Sequence, residues 1–85
     1  MPEICRYYGI IIFMYYNDHE PPHFHARYEN QEVIMEIQSD MVKGVMAKRA
    51  LSILFEWIDL HRIELMENWS LAKDRKPLQK IMPLP

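Results

Sequence analysis

The sequence predicts an α+β domain: an antiparallel sheet of three or four strands packed against one long C-terminal helix. Three observations carry the prediction. Much of the first half alternates apolar and polar residues with the period of two that a strand imposes. From about Ala47 the apolar spacing changes to the period of a helix. The chain has 85 residues, enough for one core and too few for a second.

Tyr7 to Tyr16 is a run of β-branched and aromatic residues and reads as one strand buried on both faces. Gly9 near its start suggests a bulge or a close backbone approach. Asn17-Asp18-His19-Glu20 carries turn chemistry, because Asn and Asp side chains bond to nearby backbone groups. Pro21-Pro22 then sends the chain out extended. His23 to Tyr28 forms a second strand, with Phe24, Ala26 and Tyr28 on one face and His23, His25 and Arg27 on the other. Glu29-Asn30-Gln31 makes a tight connection to a third strand, Glu32 to Gln38, in an antiparallel meander. Ser39 to Met46 adds room for a short fourth strand ending near Gly44.

The helix runs from about 47 to 74. Ala50, Leu54, Trp57, Ile58, His61, Leu65 and Ala72 form its apolar stripe, while Lys48, Glu56, Asp59, Glu67 and Lys73 fall away from it. A straight helix of that length spans roughly 40 Å, which overhangs a small sheet, so a break near His61-Arg62-Ile63 or a protruding end is expected. Pro77 stops the helix, and the tail from Leu78 to Pro85 offers Ile81 and Leu84 for docking.

Composition narrows the function classes. A net charge of −2 gives no general attraction to nucleic acid, so such binding needs a local basic face. The single cysteine, Cys5, cannot form an intrachain disulfide, and a reducing cytoplasm fits best. The start Met1-Pro2-Glu3-Ile4 lacks signal-peptide features, and the apolar run Ile10 to Tyr16 is too short to span a bilayer. A cytoplasmic protein with no membrane association is expected. A domain this small also gains stability readily from a partner or a second copy.

Three of the four histidines fall in Asp18-His19-Glu20-Pro21-Pro22-His23-Phe24-His25. His23 and His25, two apart on a strand, project from one face and can share a metal ion such as Zn²⁺. His19 is a candidate third ligand, and Asp18 or Glu20 a carboxylate ligand or an orienting partner. The same His23 and His25 can instead act as a general acid–base pair in hydrolysis, with Arg27 holding a phosphate. A third reading makes the turn rigid architecture, its imidazoles bonded to backbone or to Glu32 and Glu36 across the hairpin. His61 and Asn68 are two further polar candidates, seven residues apart on the apolar face of the helix. Buried there, each needs a hydrogen-bond partner: one in the core, or one in the histidine turn over the sheet edge. Trp57, Trp69, Tyr7, Tyr8, Tyr15, Tyr16 and Phe24 lie among mixed charges, which suits core or interface packing better than base stacking.

Ile4, Tyr8-Gly9-Ile10, Ile12, Met14-Tyr15, Asp18-His19, Pro21-Pro22-His23-Phe24-His25-Ala26 and Tyr28 make a specific pattern. It continues in Arg49-Ala50, Glu56-Trp57, Leu60-His61-Arg62, Glu64-Leu65, Asn68-Trp69, Ile81 and Pro83-Leu84. Over nearly the whole chain this resembles a family of small bacterial domains of unknown function. The resemblance implies a gene paired with that of another small domain, in a type II toxin–antitoxin module where this partner is the toxin. The implied partner is a small cognate antitoxin-like protein; no reaction is implied. One departure is Met46-Ala47-Lys48 where a proline is expected before Arg49-Ala50, which loosens the predicted helix start.

Overall fold

The computed structural model describes residues 2–85. Five strands follow one another in space as in sequence: β1 (Glu3–Tyr7), β2 (Ile10–Phe13), β3 (His23–Tyr28), β4 (Gln31–Glu36) and β5 (Val42–Gly44), all neighbours antiparallel. Helix α1 (Lys48–Lys73) covers one face. The α+β arrangement is the expected one, with five strands in place of three or four. No helix among the described residues is long and apolar enough to cross a membrane.

The extra strand comes from a correction to the Tyr7–Tyr16 segment, which folds as a hairpin and not as one strand. Tyr7 pairs with Ile10, so Tyr8 and Gly9 alone make the turn, with φ of 48° and 81°. Two successive positive φ values match the twist of the flanking strands, and Asn-Gly is the usual sequence for them. Tyr8 in place of Asn conceals the turn inside an aromatic run. Gly9 thus serves the turn, while the register shift lies between Glu3 and Cys5, which lets Ile4 and Cys5 both enter the core. Met14, Tyr15 and Tyr16 lie beyond the sheet.

Register fixes the two faces. Phe24 pairs with Met35, and Ala26 with Val33 and Ile12; all five are buried with Leu54, Trp57, Ile58 and Leu65 of the helix. His25, opposite Phe13 and Ile34, therefore points the other way, as do His23 and Arg27.

At its start α1 lacks a side-chain cap and carries Lys48 and Arg49 in its first turn, against the dipole. The Gln31 side-chain oxygen accepts the Ala47 N–H at 2.9 Å in partial compensation. A straight helix of 26 residues would be about 39 Å long, more than the 33 Å longest dimension of the molecule. The helix breaks at His61 (φ −127°, ψ 21°), within the segment where a break is expected. Just past the break, Arg62 donates to the Ile37 carbonyl and to Asp40, tying the second half of the helix to the end of β4. The helix ends with Arg75 at φ 57°, its N–H bonded to Ala72 O and that of Lys76 to Leu71 O. This is the left-handed closure usually made by glycine.

Past Pro77 the tail runs back over the core. Asn68, fully buried, clamps it by donating to Gln79 O at 2.8 Å and accepting the Gln79 N–H at 2.9 Å. Trp57 Nε1–H donates to Met82 O, and the Ile81 N–H donates to Ile4 O on the β1 edge. The tail thereby covers an edge that would otherwise be open.

Two substitutions test this packing. Trp57→Ala removes a fully buried ring that touches Phe24 and Tyr7, and should cost about 3–5 kcal/mol. An unchanged denaturant midpoint would contradict its place in the core. Gly44 has φ 110°, and an added Cβ would lie 2.7 Å from Glu32 O, so Gly44→Ala should lower stability by about 1–3 kcal/mol. A neutral result would mean that β5 moves freely away from β4.

Candidate functional site

The segment from Met14 to Pro22 leaves β2, crosses the end of α1 and returns to start β3. Asn17 takes a left-handed φ of 52°, which Asn tolerates, and its N–H donates to Ala72 O at the helix end. Lys73 Nζ donates to Asp18 O, and Trp69 Nε1–H reaches Glu20 Oε2 at 3.4 Å. Ile37 N–H donates to Pro22 O and extends the β3–β4 ladder backwards. These contacts set Asp18 over the sheet face opposite the helix, above His23 and His25.

Asp18 is the hub. Its Oδ1 accepts the His19 backbone N–H at 2.9 Å; its Oδ2 lies 2.9 Å from His23 Nε2 and 3.6 Å from His25 Nε2. Partial burial works against its ionisation, but the His19 N–H and the His23 ring together hold its carboxyl below the usual range. Among the described residues, Asp18, His23 and His25 form a group whose donor atoms all lie within 4.8 Å of one another.

The two rings are held differently. His23, 5% exposed, stands between two acceptors: Pro21 O at 2.8 Å from Nδ1 and Asp18 Oδ2 at 2.9 Å from Nε2. A carbonyl can only accept, so Nδ1 carries a proton, and a neutral ring then turns its Nε2 lone pair toward the carboxylate. A positive charge at Nε2 is needed to make that contact favourable. His25, 7% exposed, stacks on Phe13 (5.2 Å, 13°) beneath Tyr15 (4.7 Å, edge-on). Neither of its ring nitrogens has a hydrogen-bond partner; Glu32 Oε2 stands 3.6 Å from Nδ1, beyond hydrogen-bond reach.

Of the other candidates, His19 borders this group, its ring 5.6 Å from that of His23, and the rest lie apart from it. His19 is 87% exposed at its side chain, with Nε2 3.9 Å from Asp18 Oδ1. Glu20 faces Trp69 and Lys73. Arg27 pairs with Glu32 at 3.1 Å and lies over the Phe13 ring. His61 packs on Trp57 and meets Glu64 at 2.6 Å, and Asn68 holds the tail, so neither joins the histidine turn. Sequence reasoning misses Phe13 and Tyr15 as the walls around His25, because it assigns both to one long strand. The spacing of Asp18 from His23 carries no strand or helix period that would reveal their contact.

A hollow of about 50 Å³ beside His23, lined by His19, Pro21, Ile34, Glu36 and Lys43, reaches the group. It admits a water molecule or two. A much larger hollow, about 460 Å³, lies at the opposite end of β3 among Tyr8, Ile10, Tyr28, Arg49, Ala50 and Ile53, away from the histidines.

If Asp18 ties this loop to the sheet, Asp18→Ala in chelator-treated protein leaves the buried His23 Nε2 without its partner. It should cost about 1–3 kcal/mol. Equal unfolding midpoints for variant and wild type would show that the loop is held by its helix contacts alone.

Comparison with curated proteins and with solved structures gives no match. A family profile does match residues 9–70, from the first hairpin turn through most of α1, and includes Asp18, His23, His25 and Glu32. The chain belongs to the family described as domain of unknown function DUF4160.

Proposed function

We propose that this chain is one component of a two-gene toxin–antitoxin module and works by binding a small partner protein across the outer face of α1. The observation that carries the reading is a contrast in exposure. His23 and His25 are buried behind a hollow of about 50 Å³, too small for a nucleotide, whereas Leu60 and Ile63 on the helix are 62% and 78% exposed. Phe55 is also exposed, and Leu51 and Met66 are half-buried beside these residues. Two hollows open on the helix, one of about 470 Å³ lined by Leu51 and Phe55 with Lys48, the other of about 410 Å³ lined by Ile63 and Met66 with Arg62. Clustered exposed apolar side chains favour a protein partner.

Charge describes the partner further. Glu56, Asp59, Glu64 and Glu67 edge the strip; Asp59 is paired to Arg62 and Glu64 to His61, while Glu56 and Glu67 make no ion pair among the described residues. A complementary surface is apolar at its centre and basic at its rim. The resemblance to toxin–antitoxin pairs supplies the source of that partner, the product of the adjoining gene. Localisation in the cytoplasm belongs to the same reading, as does the absence of a membrane role.

A hydrolytic reading keeps one supporting observation: Lys43 lines the hollow beside His23 and could meet a phosphate oxygen, with Glu36 on the same wall. The two readings separate on co-expression with the adjoining gene. The Leu60→Asp/Ile63→Asp double variant should bind the partner at least about tenfold more weakly. Its thermal midpoint should hardly move, since both sites are exposed. His23→Ala should leave partner affinity near wild type. Wild-type affinity in the helix variant, together with growth arrest relieved by a folded His23→Ala, would overturn the binding reading in favour of hydrolysis.

A further inference from the structure

We infer that Asp18, His23 and His25 bind one divalent transition-metal ion, with Zn²⁺ the best-suited ion, through Asp18 Oδ2 and the Nε2 atoms of the two histidines. The inference concerns the chain by itself and does not depend on the partner. Three independent features of the site support it.

The first is unmet polarity. Both nitrogens of the buried His25 lack partners, while the neighbouring His23 has Pro21 O at Nδ1 and Asp18 Oδ2 at Nε2. Buried polar atoms in a native fold are nearly always satisfied. A second proton on His23 would meet Asp18 but leave both nitrogens of His25 without a partner. One divalent cation among the three groups meets both Nε2 atoms and the carboxylate at once.

The second is spacing. Four-coordinate Zn²⁺ has bonds of about 2.0–2.1 Å to nitrogen and oxygen, so neighbouring ligand atoms sit roughly 3.3 Å apart. Asp18 Oδ2 lies 2.9 Å from one Nε2 and 3.6 Å from the other, on either side of that value. All three donor atoms lie within 4.8 Å of one another, near enough for one ion to draw them together.

The third is orientation. A metal-bound imidazole usually directs its other nitrogen to a carbonyl or carboxylate, which fixes the ring and the tautomer. His23 Nδ1 has the Pro21 carbonyl; Glu32 Oε2, 3.6 Å from His25 Nδ1, makes no hydrogen bond there and would have to move closer to play the same part. Three protein ligands leave an open position for water, and the small hollow beside His23 provides space for it. His19 lies outside the set, its ring in solvent. Two imidazoles with one carboxylate favour Zn²⁺, Ni²⁺ or Co²⁺ over Mg²⁺, which prefers oxygen ligands.

The test uses the whole chain, freed of metal by chelator and then titrated with ZnCl₂ by calorimetry. One ion should bind per chain, and Zn²⁺ at about a hundredfold over Kd should raise the thermal midpoint by at least about 10 °C, with no rise from MgCl₂. Asp18→Asn and His25→Gln should each weaken binding by at least about 100-fold. Glu32→Gln, which removes only the orienting carboxylate, should weaken it about tenfold. His19→Ala should bind as wild type does. Circular dichroism of each ion-free variant checks that it folds, and the wild-type titration stands even if one does not. No binding by wild-type protein, or binding lost with His19→Ala and kept with Asp18→Asn, would overturn the assignment. Because partner affinity is measured separately, a chain that takes up no metal on titration yet binds its partner would refute this site alone.

Discussion

The position of β3 between β2 and β4 is the constraint on which the rest of the structure depends. Pairing of Phe24 with Met35, and of Ala26 with Val33, sends both side chains under the helix. Successive strand residues point to opposite faces, so His23 and His25 turn away from Phe24 and Ala26, with the His23 ring meeting Trp69 of the helix at the end of the sheet, 5.1 Å between centroids. A slip of one residue would put two imidazoles into the core and two apolar groups into their place. The hydrophobic demand of the helix face therefore orients the polar site on the other.

That far face is only partly open to solvent. Phe13 is fully buried although it lies outside the main core, because Tyr15, His25 and the Arg27 guanidinium close around it. The Asp18 loop supplies the remaining cover. An unsatisfied buried polar group costs about 1–3 kcal/mol against a total stability of about 5–15 kcal/mol. The state of two histidines thus matters to the fold as a whole. The helix end anchors this loop through Ala72 O and Lys73, so the site and the C-terminal half of α1 form one mechanical unit.

Much of this was legible in the sequence. Alternation placed His23 and His25 on one face and Phe24 and Ala26 on the other, and the 3.6-residue period placed Leu54 and Trp57 in the core. Length alone argued for a break near His61-Arg62-Ile63 or a protruding end, and the helix breaks at His61. The Tyr8-Gly9 turn was hidden because Tyr fills a position where Asn is usual, and the strand count fell short for that reason. Asp18 was among the carboxylates expected beside the two histidines, but its selection over Glu20 was not legible. It depends on a loop whose path is set by contacts with Ala72 and Lys73, more than fifty residues away in sequence. Asn68 was recognised as a buried amide in need of partners, but its partner, the Gln79 backbone, lies in a tail with no periodic signal.

The account thus separates an outer helix strip proposed for partner binding from an inner group proposed for metal, joined through the loop at the helix end. Its central claim is that Asp18, His23 and His25 act together on one cation while the other two histidines do not. Nitrogen-15 NMR of the four imidazole rings during a Zn²⁺ titration tests this most directly, because it reads each ring nitrogen separately. The account predicts that Nε2 of His23 and of His25 shift together, complete at one equivalent, with the His23 Nδ1 proton retained and His19 and His61 unchanged. Shifts confined to His19, or none in His23 and His25 at any ion concentration, would contradict it.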